Sequence, residues 1–298
     1  MSQRGIGDLG RPTKQYRVDL GTNASVSKFE KPGASQREDQ HRIRGLRRAA
    51  SSSPEFVDAD SVRALADRLE AAAESGEVHE SLASSVYMRS LRINIAGALW
   101  KLISENSGQD IRGITIVPRT WEFTPETLDD ADPGKLLKAL QAALYERGAA
   151  KAKGWFICFI HGEYDPVGRV YRLHAHGFAQ GQMVKVFERL RELPNYETRR
   201  YLENGRRSPV YRRVRLSNRS SPVHVKQTTY RLQSYWPARA IIISDDGSQM
   251  RVRTRQRLPE PFHSQVLLWM DKWTVGDLTL MKGLRVTKAG LIQTKSVS

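Results

Sequence analysis

The stretch Trp155-Phe156-Ile157-Cys158-Phe159-Ile160-His161-Gly162-Glu163-Tyr164-Asp165-Pro166-Val167-Gly168-Arg169-Val170-Tyr171-Arg172-Leu173-His174-Ala175-His176-Gly177-Phe178-Ala179 decides how this chain is read. Its apolar opening, residues 155–160, predicts a buried strand. Asp165-Pro166-Val167-Gly168 is turn chemistry, and residues 170–179 return as the partner strand. Side chains alternate along a strand, so His174 and His176 leave the same face about 6 to 7 Å apart. Two imidazoles on one rigid face can share a divalent metal, although such pairs also occur on surface strands without one. If Val167 and Gly168 centre the turn, His161 lies opposite His174, and Glu163 stands two residues along the same face. A one-residue change in the loop would send both to the other face. The order of third-ligand candidates is therefore His161, then Glu163, then Asp165. Gly177 leaves a neighbouring backbone position uncluttered, which suits close approach by a substrate.

Upstream, residues 114–117 (Ile-Thr-Ile-Val) read as a short buried strand, followed by Trp121 and Phe123. Pro133 opens a helix through Leu136, Leu137, Leu140 and Leu144 that ends before Gly148. Downstream, residues 183–193 have helical spacing and stop at Pro194, and residues 210–216 and 223–225 read as strands. Strand, helix, hairpin, helix and strand in that order predict an α+β fold, with helices on one face of an antiparallel sheet. Ahead of it lie two helices, one capped at Asp60 or Ser61 and stopped near Gly76, the other over residues 80–107. Residues 1–53, rich in Gly, Ser, Gln and Arg, read as a disordered arm, basic at Arg42, Arg44, Arg47 and Arg48. The expected division is arm 1–53, helical lead-in 54–108, core 109–245, and a basic strand with a C-terminal helical extension over 246–298.

Two further clusters carry chemistry. Thr228 or Thr229 can cap a short helix bearing Tyr230 and Tyr235, ended by Pro237, with Lys226, Arg231 and Arg239 as nearby cations. A phenol of pKa about 10 is a poor nucleophile near neutrality unless a metal polarises the electrophile or a cation stabilises the phenolate. Arg251, Arg253, Arg255 and Arg257 alternate with other residues, so on one strand all four guanidinium groups share a face. Arg212, Arg213 and Arg215 form a second basic block. The chain of 298 residues carries 48 Lys plus Arg against 32 Asp plus Glu, a formal charge of +16. Such an excess points to a polyanion, most economically nucleic acid, and leaves few spare carboxylates for these blocks. With no apolar run near the roughly 20 residues of a membrane span and no signal-peptide core, a cytoplasmic protein without membrane contact is expected. The single cysteine, Cys158, excludes an internal disulfide and a Cys-rich zinc finger.

In order, the strand at 114–117, the His174-Ala175-His176 strand of a hairpin and the Tyr230/Tyr235 segment resemble the His-hydrophobic-His (HUH) endonucleases, of the rolling-circle replication initiator type. The resemblance spans roughly residues 110 to 240 and implies a ferredoxin/RRM-like palm. It further implies that His174 and His176, with His161 or Glu163, hold Mg²⁺ or Mn²⁺ against a scissile phosphate. Tyr235 or Tyr230 then attacks, leaving a 5′-phosphotyrosine and a free 3′-OH. Family members often place Lys three residues after the tyrosine, where this chain has Gln233 and Ala238. Arg239, one further along, favours Tyr235. The implied partner is single-stranded or hairpin origin DNA of a plasmid, phage or other mobile element in a bacterial or phage-infected cell. Without a GxxxxGK[ST] phosphate loop, strand separation falls to a host helicase. Competing readings are a conjugative relaxase, a DNA or RNA hairpin-binding protein that does not cut, and a zinc hydrolase using the three histidines with Glu163 as base.

Overall fold

A computed structural model describes residues 5–6, 32–52, 55–106, 108–206, 208, 212–218, 226–229, 232, 235–252, 254–287 and 290–294. Along the chain these form α1 (Pro32–Ser52), α2 (Ala59–Ser75), α3 (Ser85–Glu105), β1 (Ile111–Ile116), β2 (Glu122–Phe123) and α4 (Pro133–Glu146). There follow β3 (Phe156–Asp165), β4 (Val170–Gln180), α5 (Gln182–Arg189), β5 (Val214–Leu216), α6 (Lys226–Thr229), β6 (Pro237–Ala238) and β7 (Ile241–Ile243). The last are β8 (Gln249–Arg251), β9 (Gln256–Arg257), α7 (Phe262–Asp271), β10 (Thr279–Lys282), β11 (Leu284–Thr287) and β12 (Gly290–Gln293). The fold is mixed α+β around an eight-stranded sheet of order β5-β1-β4-β3-β6-β9, with β2 added to β4 and β10 to β3. All pairings in it are antiparallel except the β3–β6 bridge at Tyr164 and Ala238. No described helix is long and apolar enough to cross a membrane.

The central hairpin has the register expected from its turn: His161 opposes His174 and Asp165 opposes Val170, leaving residues 166–169 as the loop. Alternation then splits β3 and β4 into two chemically distinct faces. Phe156, Cys158, Ile160 and Tyr164 share one face with Tyr171, Leu173 and Ala175, and all are buried. Helices α5 and α7 pack on this side, with Phe187 edge-on to Phe156 at 5.2 Å and Phe262 stacked on Tyr164 at 4.5 Å. The opposite face carries His161, Glu163, Arg172, His174 and His176. Burial among apolar groups pushes the Cys158 thiol up to about 12, so it holds no thiolate near neutrality.

Gly177 faces the apolar side, away from the histidines. A Cβ there would lie 1.9 Å from the Ile157 carbonyl oxygen and 2.6 Å from Cys158 Cα. The space expected to admit a substrate is therefore filled by the backbone of β3. Gly162 serves the same face, because a Cβ there would meet the Trp236 ring at 2.5 Å.

The lead-in helices follow their caps. Asp58 accepts from Ser61 N at 2.9 Å to start α2, and Gly76, at φ 73°, ends it in the left-handed region. The disordered arm is overturned over residues 32–52, where α1 forms a second small core with α2 and α7. Ile43 and Leu46 meet Val62, Leu65 and Leu267 there. Apart from Ala49 and Ala50 the other buried anchors are polar, so apolar periodicity did not reveal this helix. Asp39 accepts from Ser84 Oγ at 2.9 Å and Ser85 N at 2.5 Å, placing its charge at the N-terminus of α3. Arg42, fully buried, donates to the Ala83 carbonyl at 2.7 Å, while Arg47 pairs with Asp67 and Glu70.

Three other expectations are corrected. Among its described residues the tail has one helix, α7, and then turns to strands, with β10 extending the main sheet against β3. The arginine run at 251–257 is not one strand. β8 belongs to a separate hairpin with β7, whereas β9 edges the main sheet. Where a helix was expected to carry the tyrosines, the described residues are helical at Lys226–Thr229 and non-helical at Leu232 and Tyr235, the latter in the lead to β6. Tyr230, Arg231, Arg253 and the strand expected at 223–225 lie outside the described residues.

Candidate metal centre

The polar face of the hairpin gathers His161, His174 and His176 so that one ligand atom from each lies within 4.8 Å of the others. They are therefore close enough to share one metal ion. Ring centroids are 4.5 Å apart for His174 and His176 and 5.2 Å apart for His161 and His174. Each ring has a polar neighbour, from the hairpin itself for His174 and from distant segments for His161 and His176. His174 Nδ1 donates to the Arg172 carbonyl at 3.2 Å, and His161 Nε2 donates to the Tyr235 carbonyl at 3.0 Å. A carbonyl only accepts, so these bonds assign the protons and leave the other nitrogen of each neutral ring with a lone pair. His161 Nδ1 is buried and has no hydrogen-bond partner among the described residues, as a metal-ligating nitrogen requires. His176 Nδ1 lies 2.9 Å from Thr115 Oγ1, the polar residue between Ile114 and Ile116 on β1.

Glu163 and Asp165 take other roles. Glu163 Oε2 binds Arg251 Nη2 at 2.5 Å and lies 3.8 Å from Arg239 Nε. Asp165, almost wholly buried, holds Arg172 at 3.2 Å and accepts from Ile241 N at 3.2 Å. Neither belongs to the ligand cluster. The histidines open into a cavity of about 210 Å³, also lined by Glu163, Arg215, Arg239, Arg251 and Arg255. Burial lowers the Arg251 pKa to about 10, partly offset by Glu163, so the guanidinium stays charged at neutrality.

The remaining predicted contacts scatter. Arg257 pairs bidentately with Glu38 at 2.6 and 2.8 Å, so one of the few carboxylates near the arginine run is taken up there. Arg213 donates to the Val117 carbonyl, Arg212 is exposed, and Lys226 opens α6. Tyr235 presents its phenol to solvent, 42% exposed, near Arg257 and outside the cavity lining. Arg239, expected to serve Tyr235, lines the cavity with its Nε 3.8 Å from Glu163 Oε2. Sequence reasoning missed Thr115 and Arg172. The signal for Thr115 was its polarity inside an apolar strand at alternating spacing.

Burial lowers the pKa of His174 to about 3, and burial with the nearby His174 lowers that of His161 well below the ordinary value. A depressed histidine pKa means that the unfolded chain binds the extra proton first. The metal-free protein is thus expected to hold full stability from these groups above pH 6.5. It should lose roughly 1.4 kcal/mol per pH unit from His174 alone as pH falls from there towards 3. Thermal melting in chelator at pH 8, 7, 6 and 5 checks this; a melting temperature flat across that range would refute it.

Comparison with protein-family models, with curated proteins and with solved structures returned no match.

Proposed function

We propose that this chain is a metal-dependent DNA strand transferase of the rolling-circle initiator kind, built on a ferredoxin/RRM-like palm, that nicks single-stranded or hairpin origin DNA of a mobile element. The observation that carries this reading is the His161–His174–His176 cluster sharing one cavity with four arginines. A bound Mn²⁺ or Mg²⁺ supplies Lewis-acid polarisation of a phosphate oxygen, and imidazole ligands favour Mn²⁺. The three histidines hold the ion, and the backbone carbonyls of Arg172 and Tyr235 fix two of the rings. Arg215, Arg239, Arg251 and Arg255 bind phosphate oxygens. The phenol oxygen of Tyr235 or Tyr230 attacks phosphorus and gives up its proton. The P–O3′ bond breaks, the 3′-oxygen leaves as a hydroxyl on gaining a proton, and the 5′-phosphate stays on the tyrosine. Use of Tyr235 requires its side chain to turn inward from solvent. Strand separation is left to a partner helicase.

The test is a protein–DNA adduct that survives denaturation, formed from a labelled pool of single-stranded oligonucleotides with Mn²⁺. Loss of the adduct in Tyr235→Phe or in Tyr230→Phe assigns the nucleophile, and its persistence in the double variant rejects tyrosine attack. A second reading is favoured by the solvent-facing Tyr235 phenol: a protein that grips a DNA or RNA hairpin without cutting it. Tight binding with no adduct from any oligonucleotide would select that reading.

A further inference from the structure

The charge of the cavity is the wrong sign for a site that takes a cation first. Four guanidinium groups, those of Arg215, Arg239, Arg251 and Arg255, line it beside the single carboxylate of Glu163. That carboxylate is engaged by Arg251 at 2.5 Å. Its distance of 3.8 Å from Arg239 Nε is too long for a hydrogen bond. Arg239 Nε and Arg251 Nε are both buried and, among the described residues, have no acceptor. Buried guanidinium N–H groups left without acceptors next to an excess of three positive charges are donors awaiting an oxyanion. The same charges repel a divalent ion at the histidines, and burial strengthens that repulsion because water screens it poorly.

Resting on the reading of the histidine cluster as a cation site, we propose that the cavity binds a phosphate of a nucleic-acid strand and a divalent cation cooperatively. The arginines take the phosphate, and their charge keeps cation affinity low until that phosphate is present. The coupling is reciprocal by thermodynamic necessity, so the cation tightens the strand by the same factor by which the strand tightens the cation. The arrangement restricts loaded metal to substrate-bound protein. Arg239 is the sharpest probe, because its only ion pair among the described residues is the long contact to Glu163. Its removal should therefore have opposite effects on the two ligands, which a merely structural role would not produce.

Free Mn²⁺ is followed by its electron paramagnetic resonance signal as full-length protein is added. The arms contain no DNA, a five-residue thymidine oligonucleotide, the same oligomer with uncharged methylphosphonate linkages, or inorganic phosphate, each with a protein-free blank. The charged oligomer is expected to raise Mn²⁺ affinity at least tenfold, and the uncharged one to leave it unchanged. Arg239→Gln should bind Mn²⁺ alone more tightly than the parent, bind the oligomer several-fold more weakly, and show a smaller coupling. Equal Mn²⁺ affinity in all arms, or an Arg239→Gln variant weakened towards both ligands, overturns the proposal. An equal rise with inorganic phosphate overturns the strand as the source of the anion. Adduct formation with no coupling defeats only this inference, whereas coupling with no adduct defeats only tyrosine-dependent cutting.

Discussion

His174→Ala is expected to weaken Mn²⁺ binding by about 100-fold or more and to abolish adduct formation. Removing even an outer-shell partner of a metal ligand typically costs 10- to 100-fold, and this change removes a ligand itself. His174 is also the middle member of the cluster, with ring centroids 5.2 Å from His161 and 4.5 Å from His176. The fold has separate supports, since the apolar side chains of β3 and β4, including Ile157, Phe159 and Phe178 on the histidine side, stay in the core. Stability provides a second reading of the same variant. At pH 8 the alanine leaves a small gap and loses the bond to the Arg172 carbonyl, so melting falls. At pH 5 the parent pays for holding a buried imidazole neutral, and the gap between the two proteins should narrow. Unchanged Mn²⁺ affinity in His174→Ala would remove the cluster from the metal site altogether.

Gly177→Ala is expected to destabilise the protein by about 3 kcal/mol or more, the upper range for overpacking a core. For a chain of this size the melting temperature should fall by roughly 5 to 10 °C. The atom a Cβ would strike is the Ile157 carbonyl oxygen, 1.9 Å away, and that oxygen belongs to strand backbone. Relief requires β3 to move off β4, and that displaces His161 from His174 because the two strands carry one ligand each at that position. Metal affinity and stability should therefore fall together. Gly162→Ala makes the informative contrast. Its obstacle is the Trp236 ring, a side chain packed against Trp269 and Tyr171, so relief there does not require β3 to move off β4. A Gly177→Ala protein that melts with the parent would show that the close approach of β3 and β4 is not required.

The hairpin and its face were legible because both depend on local rules. Turn residues at Asp165–Gly168 set the pairing, and a period of two then places His161, His174 and His176 together without reference to the rest of the chain. Helices α2, α3 and α4 were legible from caps and apolar spacing, although α2 is capped by Asp58, two or three residues before the cap expected. Helix α1 was not, because beside its few apolar contacts it is anchored by Asp39 and Arg42, whose partners Ser84, Ser85 and Ala83 lie more than forty residues away.

The arginines divide in the same way. Alternation at 251–257 identified four residues on one strand, but alternation assigns a face only while a strand continues, and this one breaks between β8 and β9. Arg251 and Arg255 reach the cavity, Arg257 is drawn to Glu38, and Arg215 and Arg239 arrive from segments with no periodic relation to either. By itself the sequence determined an antiparallel hairpin with three imidazoles on one side, since turn chemistry and side-chain alternation act over a few residues. Only the tertiary structure decided which cations surround those imidazoles, that Glu163 serves an arginine, and that Tyr235 offers His161 its carbonyl. Those outcomes depend on where distant segments meet, and charge acts through space without regard to chain order.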